Sequence, residues 1–370
     1  MPSSSNSKHA PIEYVSDDHP ELGAAREIAP GVHWLRMPLP FKLDHINLWL
    51  IEDGDGWTLV DSGFNSDESR AYWEGVFTGY MGGRPVKRLI CTHYHPDHMG
   101  LAGWMIERLG IEMWCTKGEF DTLMRISNAS GKDGGDFDPE FYRRTGCDQG
   151  ILDTVLRRID NIGKRFVPLP PAYRCIQDGD EIEIGGRTWR VLVGRGHSPE
   201  LAALYCEDLK VLISGDQILP RITPNVGVHS GDASANPLGD FMSGFDKYRA
   251  LPEDTLVLPS HIRPFKGLHR RLDELQEHHE DRLEVALAAC DTEPLTAFEM
   301  LSKIFNGKYD AHQTFLALGE TLAHLHLLEA QGRITRTTDG DGIESFIATP
   351  GVPHKLHHVP GKSHPDFQEV

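Results

Sequence analysis

The sequence predicts an α/β domain with its chemistry at strand ends, followed by a small module of helices closed by a β-hairpin. Three observations carry this. Short apolar runs of β type recur between residues 32 and 258, and several end directly in His or Asp, as in open sheets that gather functional side chains at the carboxyl ends of strands. A long amphipathic stretch follows at 268–289, with Leu268, Leu272, Leu275, Leu283 and Leu287 on one stripe, the pattern of a helix packed on a core. Beyond it, Thr296-Ala297-Phe298-Glu299 has the form of a capping box, and two β-type runs flank the turn Asp339-Gly340-Asp341-Gly342.

In chain order, the opening Pro2-Ser3-Ser4-Ser5-Asn6-Ser7 has no apolar core of a signal peptide and reads, through residue 24, as a disordered or extended lead-in. Runs 32–35, 46–51 and 57–60 read as strands, the last two divided by the turn-rich Glu52-Asp53-Gly54-Asp55-Gly56. Next comes Thr92-His93-Tyr94-His95-Pro96-Asp97-His98, which packs four potential metal ligands behind the apolar stretch 88–91. Imidazoles with a carboxylate suit Zn²⁺, Fe²⁺ or Mn²⁺, and the lack of thiolates argues against a purely structural zinc knot. His197, Asp216 and His261 likewise stand behind the β-type runs 189–193, 210–213 and 255–258.

This ordered set resembles the metallo-β-lactamase superfamily, whose pattern is His-x-His-x-Asp-His, a later His, a bridging Asp and a final His. The resemblance implies an αββα sandwich over about residues 25–290 and two divalent ions, Zn²⁺ with Fe or Mn as alternatives. His93, His95 and His197 would hold the first ion, Asp97, His98 and His261 the second, and Asp216 would bridge them. Asp97 and Asp216 are the expected catalytic carboxylates, and Asp61 would orient a ligand without binding metal. The helices and hairpin of 291–350 resemble the winged-helix appendage of lactamase-β-like proteins, with 351–370 as a tail.

The segment 113–167 breaks the strand pattern, with helical stretches at 120–126 and 150–162 around the loop-like 131–135. It is expected to be an insertion that shapes a substrate pocket, with Phe137, Phe141 and Tyr142 as its wall, and to take no part in making the metal site. Tyr94 and Tyr205 are candidate donors to an oxyanion, and Lys266 and Arg270 could accept an anionic handle.

The implied reaction is hydrolysis at an acyl carbon by a metal-bridging hydroxide. The context of His197 and Asp216 is similar to glyoxalase II and its relatives, which hydrolyse acylglutathione thioesters. Their glutathione-holding Arg/Lys cluster has no counterpart here, which leaves thioester, ester and lactone as classes. With 37 basic against 55 acidic residues and a net charge of −18, the chain disfavours phosphate backbones, so a phosphodiesterase or ribonuclease is the second reading. A diiron redox protein is the third, but those typically replace the second His of the motif by Glu and append a flavin domain. No apolar run reaches membrane-spanning length, and six cysteines without a Cys-x-x-Cys pair favour reduced thiols in a cytoplasm. The expected partner is a small acyl substrate, not nucleic acid or membrane, and the terminal module is expected to pack or to dimerise.

Overall fold

The computed structural model describes residues 9–128, 138–153, 163–170, 172–305 and 307–352. Two seven-stranded sheets lie face to face. The first holds, in spatial order, β2 (Ala25–Ala29), β3 (Val32–Pro38), β4 (His45–Asp53), β5 (Gly56–Val60), β6 (Val86–Ile90), β7 (Glu112–Cys115) and β8 (Arg174–Cys175). Its pairs are antiparallel as far as β5 and parallel beyond. The second runs β1 (Glu13–Tyr14), β14 (Phe265–Lys266), β13 (Leu256–Pro259), β12 (Val211–Gly215), β11 (Leu201–Cys206), β10 (Arg187–Gly194) and β9 (Glu181–Ile184). Only β12 and β13 pair in parallel there.

Side-chain alternation decides which layer each residue joins. On β3 and β4, Leu35, Met37, Ile46, Leu48 and Leu50 face the helices α1 (Asp67–Gly75), α3 (Ala102–Leu109) and α4 (Lys117–Asn128). Trp34, Trp49 and Ile51 face the other way and meet Trp189, Val191, Leu204 and Leu258 of the second sheet. Both faces are therefore covered, which explains why these strands are nearly unbroken in apolar residues. The outer face of the second sheet packs on α6 (Pro237–Ser243), α7 (Phe245–Arg249) and α8 (Leu268–Cys290). The five leucines of the α8 stripe are between 0% and 2% exposed. These four layers form the αββα sandwich.

The C-terminal unit adds α9 (Ala297–Ile304), α10 (Ala311–Ala330) and a small antiparallel sheet of β15 (Leu295–Thr296), β17 (Glu344–Ala348) and β16 (Ile334–Thr338). Thr296 and Glu299 form the capping box read from the sequence. The helices pack into the same core as α8, through Met300, Leu318, Leu322 and Leu325.

Two boundaries differ from the sequence reading: β1, inside the expected lead-in of residues 1–24, pairs with β14 in the second sheet, and the expected insertion at 113–167 starts within a strand. Met113 and Cys115 belong to β7, which extends the first sheet in parallel with β6, so this part of the expected insertion is core. Four residues are too few to show a period, and the parallel partner lies far along the chain.

Candidate metal centre

Five strand ends meet at one edge of the sandwich. Asp61 follows β5, His93 follows β6, and His95 leads into α2 (Pro96–Met99), whose single turn carries Asp97 and His98. His197, Asp216 and His261 follow β10, β12 and β13. The turns that deliver them are tight. Asp61 has φ 64° and Ile262, next to His261, has φ 71°, a region that β-branched residues avoid and that persists only where the surroundings enforce it. Gly215 before Asp216 has φ 55°, and a Cβ there would stand 3.3 Å from the Thr92 side chain.

One ligand atom from each of His93, His95, His197 and Asp216 lies within 4.8 Å of the rest, and the same holds for Asp97, His98, Asp216 and His261. Asp216 is common to both groups. His93, His98 and His261 are 0% exposed and Asp216 2%, so these are water-excluded donors.

Each imidazole is aimed by what its other nitrogen does. His98 Nδ1 bonds Asp61 Oδ2 at 2.8 Å, His197 Nδ1 bonds the Asn225 carbonyl at 2.8 Å, and His261 Nδ1 bonds the His45 carbonyl at 3.2 Å. In all three the Nε2 lone pair is left facing the site. Asp61 also accepts from Thr92 N at 2.6 Å and Thr92 Oγ1 at 2.8 Å, so it fixes the start of the motif loop as well as the ring of His98.

The donor set fits a divalent cation. His93 Nε2 stands 3.0 Å from His95 Nδ1 and 3.2 Å from His197 Nε2. Lone pairs that close repel unless a cation lies between them, and the spacing approaches the edge of about 3.3 Å of a tetrahedron with metal–nitrogen bonds of 2.0–2.1 Å. His98 Nε2, His261 Nε2 and Asp216 Oδ1 are buried without a hydrogen-bond partner, which in a protein interior calls for a ligand. Among the described residues, Asp97 and Asp216 form their ion pairs with histidines. Burial disfavours charge on His261, yet Asp216 and Asp97 overcome it and push the ring up to about 10. His98 is raised in the same way, against burial, by Asp97, Asp61 and Asp216. The carboxylates thus favour positive charge at these two rings, which a divalent ion on Nε2 would supply in place of a proton. By contrast burial, reinforced by His197, holds His95 down at about 3, and burial also lowers His93 and His197, so these three stay neutral and able to ligate.

Sequence reasoning missed Glu119. It lies on α4, inside the segment expected to take no part in making the site, and is 0% exposed. Its carboxylate accepts from Tyr94 N at 2.9 Å, Ser198 Oγ at 2.7 Å and Glu200 N at 2.6 Å. It therefore ties the loop of His93 and His95 to the loop of His197, and the expectation for that segment is corrected. Its only sequence signal is a carboxylate in the first turn of a helix, which usually means a solvated face.

The remaining candidates scatter. Tyr94 is half-buried with its ring centroid 4.6 Å from that of His95. Phe141 and Tyr142, on α5 (Pro139–Arg144), are 6% and 3% exposed and share a core with the C-terminal unit, Tyr142 lying 5.8 Å from Phe315 between ring centroids. They thus sit in a packed seam. Phe137 lies outside the described residues. Tyr205 is buried on β11, Lys266 is exposed on β14 and Arg270 pairs with Glu274 at 2.9 Å.

Comparison with known proteins bears on the fold and the family. The family model described as the metallo-beta-lactamase superfamily matches residues 42–261, and one described as the metallo-beta-lactamase-like C-terminal domain matches residues 283–349. The chain is 40% identical to a beta-lactamase domain protein of Burkholderia ambifaria of known structure, with a TM-score of 0.85 over 91% of this chain and 98% of that one. It is 25% identical to the probable metallo-hydrolase YqjP of Bacillus subtilis (strain 168), over 84% of this chain and 95% of the relative. It is 23% identical to the human acyl-coenzyme A thioesterase MBLAC2, over 54% of this chain and 67% of the relative. The chain belongs to the metallo-beta-lactamase superfamily of metal-binding hydrolases.

Proposed function

We propose that the chain is a binuclear metal-dependent hydrolase that acts on an acyl carbon, in a thioester, ester or lactone. The observation that carries this reading is the pair of four-donor groups sharing Asp216. His93, His95 and His197 would hold one ion, and Asp97, His98 and His261 the other, with Asp216 between them. Zn²⁺ suits the nitrogen-rich first group, and Fe or Mn the second as well. Two bound divalent ions would supply an activated water and polarise the substrate carbonyl.

The residues divide the remaining work. The Asp216 carboxylate is opposed by burial but held well below its usual range by His261 and His98, so it stays ionised and holds charge together. The Asp97 side chain is 16% exposed against 3% for Asp216, which makes Asp97 the carboxylate that can exchange a proton with the medium. Tyr94 stands beside His95 and is the candidate donor to the developing oxyanion. Phe141 and Tyr142 would act by fixing the shape of the pocket from behind. The net charge of −18 and the likeness to an acyl-coenzyme A thioesterase support carbon over phosphorus as the centre attacked. The six unpaired cysteines fit a reducing, cytoplasmic setting.

The test is a hydrolysis panel of acyl-CoA, acylglutathione, lactone and phosphodiester substrates with metal-reconstituted protein. An acyl substrate should exceed bis(p-nitrophenyl) phosphate and RNA in kcat/KM by at least about a hundredfold, roughly 2.7 kcal/mol of transition-state preference. RNA cleavage lost on His95→Ala would instead establish the nuclease reading.

A further inference from the structure

We propose that the C-terminal unit aims a metal ligand of the hydrolase domain: Glu320, held by Arg282, is a positioning residue that acts on His197 through Asn225. This rests on the metal-centre reading above and adds a role for a unit that contributes no ligand itself.

The His197 ring goes where the Asn225 carbonyl goes, because the 2.8 Å bond at Nδ1 commits that nitrogen as donor and turns Nε2 to within 3.2 Å of His93 Nε2. Asn225 itself lies in a stretch, 223–229, with no regular secondary structure. Backbone without a ladder needs another source of order, and here it comes from α10. Val228 N donates to the Gly319 carbonyl at 3.0 Å. The next residue, Glu320, accepts from Asn225 Nδ2 through Oε2 at 3.5 Å. The helix can come this close because both backbones present glycine. A Cβ on Gly319 would stand 3.0 Å from His229 Cε1 and 3.3 Å from the Val228 carbonyl oxygen, and one on Gly227 would stand 3.3 Å from the Gly319 carbonyl carbon.

Glu320 is 0% exposed in the middle of α10, and its other oxygen, Oε1, accepts from Arg282 Nη1 of α8 at 2.5 Å. Arg282 is 6% exposed and lies 4.5 Å over the Phe305 ring. A buried ion pair adds little stability over an apolar pair of the same volume. An apolar pair could not accept from Asn225 Nδ2, as Glu320 does. The polar choice therefore serves orientation, and the chain of contacts runs Arg282, Glu320, Asn225, His197.

The experiment strips the purified full-length protein of metal and titrates it with Co²⁺ against a competing chelator, reading both affinity and the visible ligand-field absorption. Asn225→Ala removes the side-chain link but keeps the carbonyl and the Arg282–Glu320 pair. Arg282→Met with Glu320→Leu removes the pair without leaving a lone buried charge. Each should weaken one of the two Co²⁺ sites about 10–100-fold and alter its absorption, as loss of an outer partner of a metal-bound histidine does. The triple variant should be no worse than either parent, because the residues act in series. Melting curves identify folded variants, and if the pair replacement does not fold, Asn225→Ala decides alone. Affinity and spectrum within twofold of wild type in folded Asn225→Ala, or losses that multiply in the triple variant, overturn the proposal, as does a wild-type chain that binds no Co²⁺. Altered Co²⁺ binding without any acyl hydrolysis would leave the positioning role standing and remove only the proposed reaction.

Discussion

Two buried clusters of histidine and carboxylate among the described residues differ in where the positive charge comes from. In the centre at the strand ends, Asp97 and Asp216 face His93, His95, His98, His197 and His261, and among the described residues they form their ion pairs with histidines. Between α8 and α10, ligand atoms of His278, His279 and Glu320 also come within 4.8 Å of one another, but Arg282 is already bonded to Glu320. In the first cluster the carboxylates raise His98 and His261 against burial. In the second, burial lowers both His279 and His324, His324 to about 3 with help from Arg282, while burial raises Glu320 to about 7 against the pull of Arg282. Similar donors thus call for a cation in one place and meet a fixed guanidinium in the other.

The largest effect should come from removing shared negative charge in the first cluster. Asp216→Asn takes a carboxylate from both donor groups, so bound metal should fall below one ion per chain and kcat by about a thousandfold or more, since each 1.36 kcal/mol of lost charge stabilisation is tenfold. Elemental analysis after dialysis, with steady-state rates, checks this. Retained metal with full activity would remove the contrast with the second cluster.

Asp61→Asn tests the next layer out. The amide offers one acceptor where three donors now converge, so metal affinity or activity should drop about 10–100-fold while the fold persists. Chelator competition measures it, and a change below twofold would mean that Thr92 alone holds the His98 ring.

Glu119→Gln should cost about tenfold in kcat, because one amide oxygen cannot hold the loops of Tyr94 and Ser198 together. It also has a pH signature. Burial raises Glu119 from 4.5 to about 7 in the folded chain, so between these values the folded state binds a proton that the unfolded state has released. The stability it contributes is fully present below about pH 4.5 and lost as pH rises through about 7. Urea unfolding at pH 5 and pH 8 should show wild type losing more stability than Glu119→Gln over that interval, and parallel losses would assign the pH dependence elsewhere.

These effects also mark what could be read from the chain alone. The motif from His93 to His98 is local, and His197, Asp216 and His261 each follow a β run, so ligand order and strand ends were visible as pattern. The capping box at Thr296 was visible for the same reason. Glu119 meets Ser198 across 79 residues and Glu320 meets Asn225 across 95, and neither sits in a motif. Glu320 looked like one acidic residue of a helix, because a buried carboxylate differs from a solvated one only in its partners. Phe141 and Tyr142 were legible as apolar surface, but which surface they cover depends on the C-terminal unit folding back over α5.

The smallest effect should come from the second cluster, and it tests the charge argument most directly. His324 Nδ1 bonds the Glu320 carbonyl at 2.7 Å and therefore donates, which leaves His324 Nε2 to accept from His279 Nδ1 at 3.3 Å and His279 Nε2 as a buried acceptor without a partner. That bare lone pair is what a metal would use, but a divalent ion there would stand beside the guanidinium of Arg282. Replacing His279→Leu and His324→Met together removes both partners of one hydrogen bond, a change that is nearly neutral when shape is kept. Stability should move by no more than about 1 kcal/mol, and metal per chain and kcat should not change. If the double variant instead loses one ion per chain relative to wild type, the second cluster is a metal site despite Arg282, and a neighbouring cation is not what separates the two clusters.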